Sequence, residues 1–161
     1  MRPQRIASQS PGGDRGDVSS DDRDALDLTC VVVDGTGTYS GAQGFDYLEG
    51  ISAQSAGARG LSMHRLEIPP GASARPHLHE HHETAIYGLS GRSEMRYGEG
   101  LREQLEVRAG QFLFIPAGMP HLPYNPSDRE TCVVLIARTD PNEQESVVLL
   151  DEHGRRPGSQ P

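Results

Sequence analysis

The stretch GASARPHLHEHHETAIYGLSG, residues 71–91, sets four histidines and two glutamates into the seven positions from His77 to Glu83. Strand side chains alternate between faces, so His77 and His79 point the same way. Two imidazoles on one face, with a carboxylate close behind, suit a divalent metal of borderline softness. A further ligand has to come from elsewhere in the chain, and His121 is the candidate. In this reading the stretch is a metal-bearing strand between glycine turns, and the rest of the chain must supply a scaffold for it.

The flanking sequence supplies strands. Short apolar runs recur at Leu28–Val33, Leu61–Ile68, Ala74–His79, Thr84–Leu89, Ser93–Tyr97, Leu101–Val107, Gln111–Ile115, Cys132–Ala137 and Val147–Leu150. Gly71, Gly91, Gly98, Gly100, Gly110 and Gly118 fall in the gaps. No ten-residue window keeps a helical period. Many short strands with glycine turns predict a closed antiparallel barrel or sandwich, an all-β fold. Gly35 to Gly57 is less regular and reads as a covering loop with one short strand, Phe45 to Leu48. The expected division is a disordered tail over 1–25, a barrel over 26–152 and a second disordered tail over 153–161. The first tail is rich in Ser, Asp, Arg, Gly and Pro and lacks the apolar surface that would offset the entropy of ordering.

Bulk properties narrow the function. The 161 residues suffice for one domain. An apolar content of 34%, with 19 Gly and 12 Pro, favours turns over helices. A net charge of −8 with no basic stripe argues against nucleic acid. No apolar run has the length of a membrane span, and the N-terminus lacks the apolar core of a signal peptide. A cytoplasmic protein that binds neither nucleic acid nor membrane is expected. Cys30 and Cys132 sit in apolar strand-like runs and read as small buried hydrophobes.

The second decisive stretch is GQFLFIPAGMPHLPYN, residues 110–125. A strand runs into a Pro-x-Gly turn and a histidine follows directly. The turn reverses the chain, so His121 begins a new strand that can return to His77 and His79.

Together the two stretches resemble the paired motifs of the cupins. Gly71, His77, His79, Glu83 and Gly91 follow the first motif, with seven residues instead of six between Glu83 and Gly91. Gly110, Pro116, Gly118, His121 and Asn125 follow the second without departure. The chain is similar to a small single-domain metal-binding cupin of the RmlC-like jelly-roll superfamily. The resemblance implies a single jelly-roll β-barrel with one divalent transition metal inside (Fe, Mn, Ni, Co or Zn). It implies the metal ligands His77, His79, Glu83 and His121, and pairing as a homodimer. The extra residue leaves one position open. Thr84 shares a face with His82, while Glu83 faces the other way. Either a bulge after His79 turns Glu83 inward, or His82 replaces it.

Other residues have plainer expectations. His81 and Glu80 belong in solvent, His64 either at the barrel mouth or in solvent, and His153 in the tail. Phe112, Phe114, Met63 and Met95 are expected in the core. Tyr87 and Tyr97 could line the cavity or pack across strands. Arg75 could bind an anionic substrate or pair with a surface acid, and Asn125 ties down a turn.

An open metal position in a barrel suits catalysis. Two kinds of function follow from the resemblance. One is a metal-dependent enzyme on a small organic carbonyl or enol compound, by dioxygenase-like oxidation or by isomerisation or cyclisation. The other is a non-catalytic metal and small-molecule binding module, a sensor or storage cupin. A storage-like barrel without metal is disfavoured by the retained His77, His79 and His121.

Overall fold

The computed structural model describes residues 29–142 and 146–158; the N-terminal segment over 1–25 lies outside the described residues. Eleven strands are described: β1 (Thr38–Ser40), β2 (Asp46–Ile51), β3 (Ser62–Ile68), β4 (His77–His79), β5 (Thr84–Ser90), β6 (Arg92–Tyr97), β7 (Glu103–Arg108), β8 (Phe112–Ile115), β9 (His121–Tyr124), β10 (Cys132–Arg138) and β11 (Val147–Leu149). One short helix, α1 (Ala53–Ala56), follows β2 and is capped by the Ser52 hydroxyl. The strands form a six-stranded sheet, β1-β2-β3-β10-β5-β8, and a five-stranded sheet, β11-β4-β9-β6-β7, with antiparallel pairing throughout. This is the all-β fold that the strand pattern predicts, and the jelly roll that the resemblance implies. Among the described residues no helix is long and apolar enough to cross a membrane.

Period-two alternation builds the interior. Along β3, Ser62, His64, Leu66 and Ile68 are buried, while Met63, Arg65 and Glu67 face outward. Along β10, Cys132, Val134, Ile136 and Arg138 are buried. Registered together, the two strands stack a polar rung at one end of the large sheet, where Arg138 stands between Ser62 and Thr84. The next rungs are His64–Ile136–Ile86 and Leu66–Val134–Gly88. Phe45, Tyr47, Leu66, Ile68, Ala74, Cys132, Val134 and Ile136 close into an apolar core. Burial of such side chains contributes roughly 1.5–3 kcal/mol each for the large aliphatic and aromatic ones. The barrel is therefore apolar in its body and polar at one end.

Several expectations are corrected. Phe112 and Phe114 are not core: they are 82% and 59% exposed. Leu113 and Ile115 of the same strand line the interior. Alternation sends the two phenylalanines outward. The run Phe-Leu-Phe-Ile is apolar on both faces, so its hydrophobicity carries no parity signal. Met63 also faces outward, whereas Met95 is buried as expected. No strand occupies the described part of the Leu28–Val33 run, and Cys30 is exposed there. Cys132 is buried in β10, and both cysteines are free.

Two turns position the site. At Gly91 (φ +68°), between β5 and β6, an added Cβ would stand 2.8 Å from the Thr131 carbonyl oxygen. The turn therefore admits only glycine without rearrangement. Gly118 (φ +75°), in the Pro-x-Gly turn before β9, donates its N–H to the His79 carbonyl at 2.7 Å. The second motif is thus hydrogen-bonded to the strand that carries the first. On the other side of β4, the C-terminal β11 pairs Val147 with His79 and Leu149 with His77.

Candidate metal centre

His77 opens β4 and His121 opens β9, and the two are opposite one another in the ladder. Each follows a proline, in Arg75-Pro76-His77 and Met119-Pro120-His121. In both, the Nδ1–H donates to the carbonyl oxygen two residues back, Arg75 O and Met119 O, at 2.8 Å each. A ring that donates from Nδ1 keeps its lone pair on Nε2, the tautomer a metal requires. His79 lies two residues after His77 on the same face. One ligand atom from each of His77, His79 and His121 falls within 4.8 Å of the other two, and all three residues are buried.

His79 supplies the test of fit. Neither of its ring nitrogens has a hydrogen-bond partner, although the residue is 2% exposed. A buried imidazole left wholly unpaired costs on the order of 1–3 kcal/mol, and native structures seldom keep one. Three buried nitrogen donors with an unpaired imidazole among them match the coordination preference of a divalent transition metal. The described residues fit such an ion.

The extra residue before Gly91 resolves into geometry. Thr84, the first residue of β5, is buried and lines the interior, so Glu83 beside it faces solvent. The Glu83 N–H is held by the Thr139 hydroxyl at 3.0 Å, and no bulge turns its carboxylate inward. Glu83 is therefore outside the cluster. His82 is instead buried, with its ring centroid 4.6 Å from that of His79. Its Nδ1 meets the Ser146 hydroxyl at 2.6 Å and Asp140 at 3.2 Å, while its Nε2 is buried without a partner. His81 is exposed, as expected, and Glu80 pairs with Arg156 at the surface.

Electrostatics keep these imidazoles neutral. Burial is the main cause, and it pushes His77 and His79 far below the usual histidine range and His121 down to about 4. The Arg138 guanidinium acts in the same direction on all three. His82 is lowered by burial and by Arg138, with Asp140 opposing. His64 is 2% exposed and lines a second pocket with Tyr39 and Ser52, apart from the histidine cavity; its Nδ1 accepts the Gly50 N–H, and burial followed by Arg138 pushes it down to about 4. Neutral rings offer lone pairs without having to shed a proton.

The histidines open into a small cavity of about 40 Å³. Its walls are mostly apolar, with Phe45, Leu66, Ile86, Met95 and Val134 among them, and Thr84 and Arg138 at the polar end. Arg138 and Thr84 escape a reading from sequence alone. Ending the strand at Ala137 stops one residue short of Arg138, yet the parity of Cys132, Val134 and Ile136 points Arg138 inward. Arg75, the arginine weighed from sequence, is exposed. Tyr87 packs outward on Phe112, ring centroids 4.6 Å apart. Asn125 does tie down its turn: its amide donates to Ile68 O at 2.8 Å and Glu130 O at 2.7 Å, and its oxygen accepts the Ser127 N–H at 2.9 Å.

A jelly roll with histidines projecting inward from two motif strands defines a class of protein, the metal-binding barrels. A cupin-domain family profile matches residues 64–137. The chain is 36% identical over 87 residues to germin-like protein 3-1 of Oryza sativa subsp. japonica, a match that takes in 52% of this chain and 38% of the rice protein. It thus spans well under two thirds of that relative. Among solved structures, the polyketide cyclase RemF from Streptomyces resistomycificus superposes with a TM-score of 0.58 at 28% identity, over 76% of this chain and 87% of that one. Oxalate decarboxylase from Bacillus subtilis gives 0.60 at 20% identity, over 72% and 31%, a likeness of fold. Residues 64–137 thus carry a cupin domain, within a small jelly-roll fold.

Proposed function

We propose that this cupin is a metal-dependent enzyme acting on a small organic carbonyl or enol compound inside the barrel. The observation that carries the reading is the set of three buried, neutral histidines converging on a small, mostly apolar cavity. His77, His79 and His121 would hold the ion, and His82 is the better fourth candidate than Glu83. A buried, unpaired Nε2 backed by Asp140 and Ser146 supports His82, and solvent exposure disfavours Glu83. When bound, a divalent metal polarises a carbonyl oxygen, and a redox-active one adds oxygen chemistry. The chain's own part is to keep the imidazoles neutral, exclude water with apolar walls and orient a small substrate. The polyketide cyclase and oxalate decarboxylase likenesses are consistent with carbonyl chemistry in such a barrel.

Pairing as a homodimer belongs to the same reading. The outer face of the large sheet exposes Phe112, Phe114, Leu89 and Met63 together, with Tyr87 half-buried among them. An apolar patch of this kind suits a self-complementary interface.

The test is elemental analysis of the purified protein, which should carry about one divalent metal per chain. His121→Ala should weaken metal affinity by about 100-fold or more, and His81→Ala should leave it unchanged. Second-sphere losses of about 10–100-fold set the scale that a ligand loss has to exceed. His82→Ala should weaken binding and Glu83→Ala should not. Absence of metal with no uptake on reconstitution, or equal effects at His121 and His81, would overturn the reading.

A further inference from the structure

The segment between Gly35 and Gly57, irregular in sequence and outside both motifs, reaches the metal strand through one residue. Gln43 sits in the turn between β1 and β2, which closes through the Gly41 N–H to Phe45 O at 2.8 Å and the Gly44 N–H to Gly41 O at 2.9 Å. Its side chain is 1% exposed, and its amide donates to the Tyr47 hydroxyl. Gly41 leaves room for that pair: an added Cβ there would stand 2.7 Å from Tyr47 Cε2 and 2.9 Å from Gln43 Oε1. The Gln43 carbonyl accepts the Arg75 N–H at 2.8 Å, and the Arg75 carbonyl accepts the His77 Nδ1–H at 2.8 Å. Pro76 confines Arg75 to extended backbone. With its N–H also tied, Arg75 keeps its carbonyl aimed at the His77 ring. The counterpart at His121 is local: Met119, whose carbonyl holds that ring, donates its N–H to Pro116 O at 3.3 Å within the Pro-x-Gly turn. Gln43 Oε1 is buried without a partner among the described residues, a cost that an apolar side chain would avoid, so packing alone does not account for a glutamine here.

We propose that Gln43 is a positioning residue for the metal centre. Its side chain pins the β1–β2 turn to Tyr47 in the cavity wall, and its main chain fixes the Arg75 carbonyl that holds His77. The tautomer and aim of His77 thus depend on a turn outside both motifs, whereas those of His121 are set inside its own. Loosening the turn should free the His77 ring and weaken metal binding, as loss of an outer support does at metal sites generally. This deepens the proposed function, and its metal arm rests on His77 being a ligand.

Exchange of the imidazole N–H protons, read by NMR on nitrogen-15-labelled metal-free protein, tests the latch without any metal. In wild type the Nδ1–H protons of His77 and His121 should exchange at least about tenfold more slowly than the ring protons of exposed His81. Gln43→Met keeps the volume and removes the bond to Tyr47. It should speed exchange at His77 by about three- to tenfold, the span of one net hydrogen bond, and leave His121 unchanged. Tyr47→Phe should act alike, and the double variant should add little to either. Far-UV circular dichroism confirms folding, and Tyr47→Phe carries the test if Gln43→Met does not fold. Gly91→Ala, a destabilised control away from this turn, should leave the ratio of His77 to His121 exchange as in wild type. Calorimetric titration with zinc should show Gln43→Met weakened by about three- to tenfold, below the 10–100-fold of a direct outer-sphere loss because it acts one bond further out. A wild type that takes up no zinc would sink the metal reading, and the exchange ratio would still decide whether Gln43 holds His77. The proposal is overturned if the wild-type His77 proton exchanges as fast as that of His81, or if folded Gln43 and Tyr47 variants leave the ratio unchanged. It is overturned equally if Gly91→Ala shifts the ratio as much, or if zinc affinity survives a loosened His77 intact.

Discussion

Asn125→Ala and Asn125→Asp should both destabilise the fold, and the smaller chemical change should do more harm. The amide of Asn125 makes three hydrogen bonds, to Ile68 O, Glu130 O and Ser127 N, and the residue is 1% exposed. It joins the loop after β9 to the end of β3. Alanine removes all three, at about 1 kcal/mol each, for a loss of about 3 kcal/mol. For a protein of this size that lowers Tm by roughly 6–12 °C. Aspartate keeps the acceptor for the Ser127 N–H but sets a carboxylate oxygen against two carbonyl oxygens, at 2.8 and 2.7 Å in the parent geometry. Repulsion and burial of charge should add at least about 2 kcal/mol at neutral pH. The introduced carboxyl has its folded pKa raised above about 3.9, so its penalty is present at neutral pH and fades as pH falls towards 4. Protonated, it regains one donor. Urea unfolding followed by far-UV circular dichroism at pH 7.5 and at pH 4.5 measures both variants. An Asp variant at neutral pH as stable as the Ala variant, or more so, would refute the reasoning.

Three further outcomes follow from the geometry. The folded pKa of His64 is depressed from 6.5 to about 4. Its contribution to stability is therefore present above the unfolded value and is lost as pH falls through the folded one. At pH 5 the loss should reach at most about 2 kcal/mol, with a similar loss from His121 in metal-free protein, whose pKa is depressed likewise. Urea midpoints unchanged between pH 7.5 and pH 5 would contradict this. Phe112→Glu should convert a dimer to a monomer in sedimentation velocity while leaving the far-UV spectrum unchanged; a monomeric wild type would remove the proposed interface. Gly91→Ala should cost about 2 kcal/mol or more, the scale of a strained backbone position. Its added Cβ would stand 2.8 Å from Thr131 O at positive φ, and thermal unfolding would reveal a milder effect.

The strands were legible wherever one face is apolar and the other polar. β3 shows this over its second half, where Leu66 and Ile68 face inward and alternate with Arg65 and Glu67, while inward Ser62 and His64 and outward Met63 blur the parity of its first half. β8 is apolar on both faces, and its parity became visible only when Leu113 and Ile115 were seen to line the cavity. The convergence of His77, His79 and His121 was legible because the two motifs fix their spacing. The outward placement of Glu83 was not, because spacing along the chain does not say whether an added residue bulges or shifts parity. The structure shifts parity: Thr84 enters the cavity and His82 lies beside His79. Arg138 was hidden by its charge, since a strand traced by hydrophobicity stops before an inward-facing arginine. Asp140 and Ser146 reach His82 from loops, where no periodicity applies.

The two Pro-His pairs bear on how such a site survives mutation. The carbonyls that set the His77 and His121 tautomers belong to the main chain of Arg75 and Met119. Every amino acid carries that oxygen, so genetic drift at positions 75 and 119 cannot remove it. His82 depends instead on the side chains of Asp140 and Ser146, and single substitutions can delete either support. Among descendants of such a sequence, the paired histidines should outlast wide divergence around them, whereas the fourth nitrogen is free to be lost or replaced.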